Sequence, residues 1–330
     1  MRTIRVPTAV TTVASVLALG VFATPSIAAV ENLDGLIAYP IGGGEDPYVI
    51  RTIKPDGTDN RRVLGPRKGR FRLGPSSPEW SPDGKKLLFG GHFRLDSAAQ
   101  SLWYSTASGK RIRRIRLGLH GPRTGPDAIT LHGWDWAPDG RHVVFAAQRG
   151  LAPARLYTIS IHGRHRRALP RGWWPEWSSD GRYIMFSIPV GFQYIDLRRG
   201  QTAVVRPTGN GFRTLTDSTL DSSPTFSPDG QRVLFVRNMG NSDEWHMVDV
   251  SGRNDVVVGT DRPSNFGYCA PQWTPDGTRL AVVRLESENG TDVASFVTMD
   301  VTGAHDRVAF TSRDAFFGWQ TICDFSWRPR

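Results

Sequence analysis

Pro78-Glu79-Trp80-Ser81-Pro82-Asp83-Gly84 decides how this chain is read, because the segment returns four more times without a gap. The copies are Trp134-Asp135-Trp136-Ala137-Pro138-Asp139-Gly140 and Pro175-Glu176-Trp177-Ser178-Ser179-Asp180-Gly181, then Pro224-Thr225-Phe226-Ser227-Pro228-Asp229-Gly230 and Pro271-Gln272-Trp273-Thr274-Pro275-Asp276-Gly277. One or two polar residues follow each copy, and then an apolar run: Leu87-Leu88-Phe89, Val143-Val144-Phe145, Ile184-Met185-Phe186, Val233-Leu234-Phe235, Leu280-Ala281-Val282. The chemistry is that of a hairpin. Proline presets φ for a type I turn, aspartate bonds its own backbone, and glycine takes the left-handed conformation of the bulge that follows.

A second turn closes each repeat, at Asp56-Gly57, Ser108-Gly109, His162-Gly163, Arg199-Gly200, Ser251-Gly252 and Thr302-Gly303. Two hairpins per repeat make four strands, which is one blade of a β-propeller. Asp34-Gly35-Leu36-Ile37-Ala38-Tyr39 matches only the second half of the motif, and Trp327-Arg328-Pro329 only the first. Joined, they complete a sixth copy. The expected fold is therefore all-β: a six-bladed propeller of four-stranded antiparallel blades, the last closed by both termini, which removes the open sheet edge.

The repeated hairpin resembles the WD40-like repeat of the TolB-like β-propeller family over essentially all of residues 34–330. The resemblance implies the propeller and protein binding at its faces. In TolB a separate α/β domain precedes the propeller; here the repeat starts directly after the leader, so a propeller without that domain is expected.

Residues 1–28 read as a secretory signal peptide. Arg2 and Arg5 precede an uncharged apolar stretch from Ala9 to Phe22, and Ser26-Ile27-Ala28 offers a cleavage site. The expected division is thus 1–28 signal and 29–330 propeller, with a secreted or extracytoplasmic product that does not span a membrane. Cys269 and Cys323 are the two cysteines. They occupy equivalent positions in neighbouring blades, which suits a disulfide in an exported protein. The formal charge is +10, but 36 of the 41 basic residues are arginine, a bias that genomic composition can produce.

Aligned repeats allow positions to be compared round the ring. One residue before each motif aromatic stand Glu79, Asp135, Glu176, Thr225, Gln272 and Ser326, all polar and all on the strand expected to be innermost. They are candidate pore-lining residues. No cofactor is implied, although the adjacent acids are of the type that holds a channel cation such as calcium; a pore holding only water is the competing reading. His132, Trp134, Trp173 and Trp174 are candidates for a binding platform at the channel mouth, against a role in inter-blade packing. Arg61-Arg62, Arg111 to Arg116 and Arg164 to Arg167 cluster where outermost strands should lie. Such a rim suits an anionic polymer or membrane surface, and charge there also discourages edge pairing.

No Gly-x-Ser-x-Gly elbow, His-Glu-x-x-His or paired-cysteine metal motif occurs. The expected function is that of an exported, non-enzymatic binding or scaffold protein using a propeller face for a protein partner in the cell envelope, with no nucleic acid bound. The alternatives are a carbohydrate-active lyase or hydrolase built on His132, Asp135, Glu176 and Trp174, and a lectin-like propeller for a glycan or anionic polymer.

Overall fold

The computed structural model describes residues 35–43, 46–66, 75–92, 100–121, 127–188, 200–240, 242–261, 271–288, 291–301, 307–312 and 325–327. The expected signal peptide and the cysteine pair lie outside these residues. Twenty-four strands form six four-stranded sheets.

The first blade holds β1 (Ile37–Gly43), β2 (Asp46–Ile53) and β3 (Arg61–Leu64). The second runs β4 (Pro75–Trp80), β5 (Lys86–His92), β6 (Gln100–Thr106), β7 (Arg113–Arg114). The third runs β8 (Ile129–Trp136), β9 (His142–Arg149), β10 (Arg155–Ser160), β11 (Arg167–Arg171). The fourth is β12 (Trp173–Trp177), β13 (Ile184–Ile188), β14 (Gln201–Val205), β15 (Arg213–Thr214). The fifth is β16 (Asp221–Phe226), β17 (Arg232–Asn238), β18 (Asp243–Asp249), β19 (Val256–Asp261). The sixth is β20 (Gln272–Trp273), β21 (Arg279–Glu288), β22 (Thr291–Asp300), β23 (Arg307–Ser312). Last in the chain, β24 (Ser326–Trp327) returns to the first blade.

That return is antiparallel, with Trp327 opposite Ile37 and Ser326 opposite Ala38. It repeats the pairing of Trp80 with Leu87 and of Trp273 with Leu280 in ordinary blades. Both half-motifs therefore meet in register. First strands touch from blade to blade, β24 on β4, β4 on β8, and so on to β20, which places them round the central axis and the fourth strands at the rim.

The turn chemistry behaves as the sequence dictates. In the five whole motifs the glycine N–H donates to the Ser, Thr or Ala carbonyl three residues back, at 2.7–2.9 Å, and φ at that glycine is +60° to +74°. The hydroxyls of Ser81, Ser178, Ser227 and Thr274 donate to the turn aspartate at 2.5–2.7 Å. Ala137 has no hydroxyl, and there Asp139 accepts from the backbone of both Arg141 and His142.

Second strands are buried on both faces, which explains their unbroken apolar runs. Phe89, Phe145, Phe186 and Phe235 are equivalent and fully buried. Each core cluster straddles two blades; Ala38, Ile50 and Leu64 of the first, for example, pack with Trp80, Leu87 and Phe89 of the second. At the closing seam Phe296 meets Trp327 edge-on, ring centroids 5.6 Å apart. The core is thus a ring of seams rather than a single centre.

Candidate functional site

The innermost strands are joined by a relay of side-chain acceptors. Ser326 Oγ accepts from the Trp80 backbone N–H at 3.1 Å. Asp135 Oδ2 accepts from Trp177 N–H at 2.7 Å, and Glu176 Oε1 from Phe226 N–H at 2.9 Å. In every case the acceptor is the polar residue before one motif aromatic, and the donor is the motif aromatic of the next blade. The Trp136 indole completes the pattern in reverse, donating to the Glu79 carbonyl at 3.1 Å. Thr225 Oγ1 lies 3.3 Å from Glu176 Oε1.

All six candidate positions fall on first strands. Ser326 is buried, and Glu79, Asp135, Glu176, Thr225 and Gln272 are half-buried. Burial raises the Asp135 carboxyl to about 7. Burial, and then the charge of Asp135, push Glu176 up to about 8. Two neighbouring carboxyls shielded from water cannot both ionise cheaply, so the pair favours holding a proton at neutral pH. Among the described residues no three His, Cys, Asp or Glu side chains come together as a metal ligand set.

Away from the Pro-Asp-Gly turns, four of the six inner strands bulge. Pairing slips between Ser76 and Glu79, Leu131 and Trp134, Trp173 and Glu176, Ser222 and Thr225. Inside each bulge one residue is left-handed: Ser77 (φ 45°), Gly133 (90°), Trp174 (52°) and Ser223 (50°). Serine and glycine tolerate this conformation better than tryptophan, for which it is an outlier that the surroundings must enforce. Gly133 supplies the room: a Cβ there would lie 2.9 Å from Trp174 Cα and 3.0 Å from its ring. Trp174 is half-buried at this edge.

His132 sits beside it, its ring 4.2 Å from that of Trp173 in an edge contact. Burial lowers its pKa to about 4 despite a hydrogen bond with Gln148, so the imidazole is neutral at pH 7, and its Nε2 has no protein partner. The candidate platform thus sets a half-buried Trp174 beside a neutral His132 whose buried Nε2 has no protein partner.

The family model for the TolB beta propeller domain matches residues 52–262, most of the ring just described. The chain belongs to the TolB β-propeller family. It is 26% identical over 265 residues to the Tol-Pal system protein TolB of Francisella tularensis, covering 74% of this chain and 56% of that protein. It is also 26% identical over 222 residues to the uncharacterized peptidase YuxL of Bacillus subtilis, covering 56% of this chain and 32% of the relative. The chain thus spans about a third to just over half of these relatives' lengths. The crystal structure of TolB from Acinetobacter baumannii superimposes with a TM-score of 0.65 over 90% of this chain and 67% of its own, at 17% identity. That likeness speaks for the fold.

In this TolB-type propeller, Trp134 and Trp173 are wedged between blades. Trp134 is 6% exposed, lies against Gly90 and donates its indole N–H to the Ser77 carbonyl at 3.0 Å. Trp173 is 3% exposed. Of the four mouth candidates, His132 and Trp174 keep access to solvent. No helix among the described residues is long and apolar enough to cross a membrane.

One cluster was not legible in the sequence. Fully buried Asp221 grips Arg237 through two bonds, 2.7 and 3.1 Å, in the fifth blade. His246 lies between Asp255 at 2.7 Å and Glu244 at 3.1 Å. Arg237 stands where Gly91 and Ala147 stand in other blades; a charge in an otherwise small or apolar register was the available signal.

Proposed function

We propose that this chain is an exported binding propeller, whose channel mouth at His132 and Trp174 receives a segment of an envelope protein. One observation carries the reading: a tryptophan held left-handed where other blades place serine or glycine, next to a neutral histidine whose ring nitrogen is buried and unpaired. Strained residues persist where the surrounding structure over-determines them, and they concentrate at ligand sites. The relationship to a Tol-Pal system protein supports a protein partner and an extracytoplasmic setting.

The test is affinity capture from an envelope extract of the source cells, with wild type and Trp174→Ser as baits. Serine is the residue that two other blades use at this position, so the fold should tolerate it. A protein retained by wild type and lost by the variant, at equal thermal stability, is the expected result. Identical retention by both baits, or no retention by either, would remove the mouth from the mechanism.

A further inference from the structure

The outer seam between the second and third blades has a charge pattern that neither fold nor closure requires. Residues 100–121 and 149–171 contain eleven lysines and arginines and no acid. Arg166 ties the two outer edges together, its guanidinium donating to the carbonyls of Leu117 and Gly118. Gly163 sits so close to Arg116 that a Cβ would lie 2.7 Å from its carbonyl oxygen. The exposed arginines of β7 and β11 are thereby brought onto one track.

Within it, Arg155 of β10 and Arg171 of β11 are direct cross-strand partners. Both are exposed, and neither has an acidic partner among the described residues. Like charges placed directly opposite on a sheet repel and destabilise it. Arg111 adds a second cost. It is left-handed at φ 52°, in a turn position where the first, third and fifth blades place Asp59, His165 and Asn254, types that accept this conformation more readily.

Protection of edge strands does not account for the pattern. The same rim in the fifth and sixth blades is left with Val256 and Val257 at 52% exposure and Val308 at 44%. Charge is also divided along the chain: residues 1–216 hold 31 basic and 15 acidic residues, residues 217–330 hold 10 and 16. The basic excess belongs to the stretch of chain that supplies the first four blades.

We infer that this seam, centred on Arg111, Arg113, Arg116, Arg155, Arg164 and Arg171, binds a flexible linear polyanion bearing a phosphate or carboxylate on each repeat. An anion between Arg155 and Arg171 converts their repulsion into a two-sided clamp, since guanidinium pairs with oxyanions bidentately. A polymer follows a convex rim, whereas a flat bilayer touches a rim only along a narrow line. Arg171 lies three residues before Trp174, but the binding inferred here does not depend on the function proposed for the mouth.

The experiment measures binding of long-chain sodium polyphosphate and of polygalacturonate to the full chain, at low and at physiological salt. Neutral dextran and vesicles containing phosphatidylglycerol serve as the other arms. Wild type should bind both polyanions with salt-sensitive affinity and ignore dextran. R155Q/R171Q should lose at least about tenfold, with a salt slope shallower by about one per arginine removed. Its melting temperature without polymer should be equal to wild type or higher, which a merely structural role would not give. R206Q/R253Q removes the same charge from exposed positions elsewhere and should change affinity by no more than about twofold. Equal losses in the two variants, stronger binding to vesicles than to polymer, or no binding at low salt would each overturn the assignment.

Discussion

Asp135 uses both carboxylate oxygens to accept backbone N–H groups, from Trp136 and Trp177, each at 2.7 Å, whereas the backbone bond to Glu176 falls on Oε1. Amide replacements should therefore behave differently. Asp135→Asn turns an NH2 towards one N–H and should cost about 1–3 kcal/mol, the penalty for a buried donor left unmet. Glu176→Gln can keep its bond through the amide oxygen and should cost less. Denaturant unfolding of both variants checks the order. The pH dependence follows from the same pair. Their folded values lie above the ordinary 3.8 and 4.5, so the native state holds protons more tightly than the unfolded chain. That stability is complete below about pH 4 and is lost as pH rises through about 8. The turn carboxylates Asp83 and Asp229, lowered mainly by their serine hydroxyls, have the opposite sign: their contribution is complete at neutral pH and is lost only in acid. Calorimetry from pH 5 to 9 should show a shallower fall in melting temperature for Glu176→Gln than for wild type; parallel curves would contradict the shared-proton account.

At the scale of the hairpin, the motif hydroxyl and the second-turn glycine can be tested separately. Ser178→Ala removes the donor to Asp180 and the acceptor for the Tyr183 N–H, and should cost about 1 kcal/mol. Ala137 shows that a blade still forms without the hydroxyl. Gly163→Ala should cost more, because φ of +76° penalises an L-residue by about 1–2 kcal/mol and the new methyl also meets the Arg116 carbonyl. Thermal unfolding orders the two. Most hairpins were legible because their chemistry is local: Pro, Asp and Gly dictate the turn wherever they stand in sequence. The exception is the second turn of the fourth blade, expected at Arg199-Gly200 but formed at Thr208-Gly209, where the Gly209 N–H donates to the Arg206 carbonyl at 2.8 Å. The inner-strand bulges were not legible. Their left-handed residues include Ser77, Trp174 and Ser223, of which only the prolines that follow them gave any sign, and a strand template of period two cannot register the slip.

For the molecule as a whole, closure rests on two residues of β24, which pair with β1, seat Ser326 Oγ on the Trp80 N–H and place Trp327 against Phe296. Removing residues 326–330 should lower the melting temperature and expose β1 as a free edge, read as dimers or larger species by size-exclusion chromatography. A truncated chain that stays monomeric with unchanged melting would show that the seam on either side suffices. Ring closure could be read from Gly35 and Trp327, since half a motif at each end has one sensible completion. The relay could not, because its partners are 42, 50 and 246 residues apart and alternate between side chain and main chain. The unequal placement of arginine round the disc has one more effect. A body charged on its edge would approach an oppositely charged matrix like a coin standing upright, leaving both flat sides clear for whatever diffuses past.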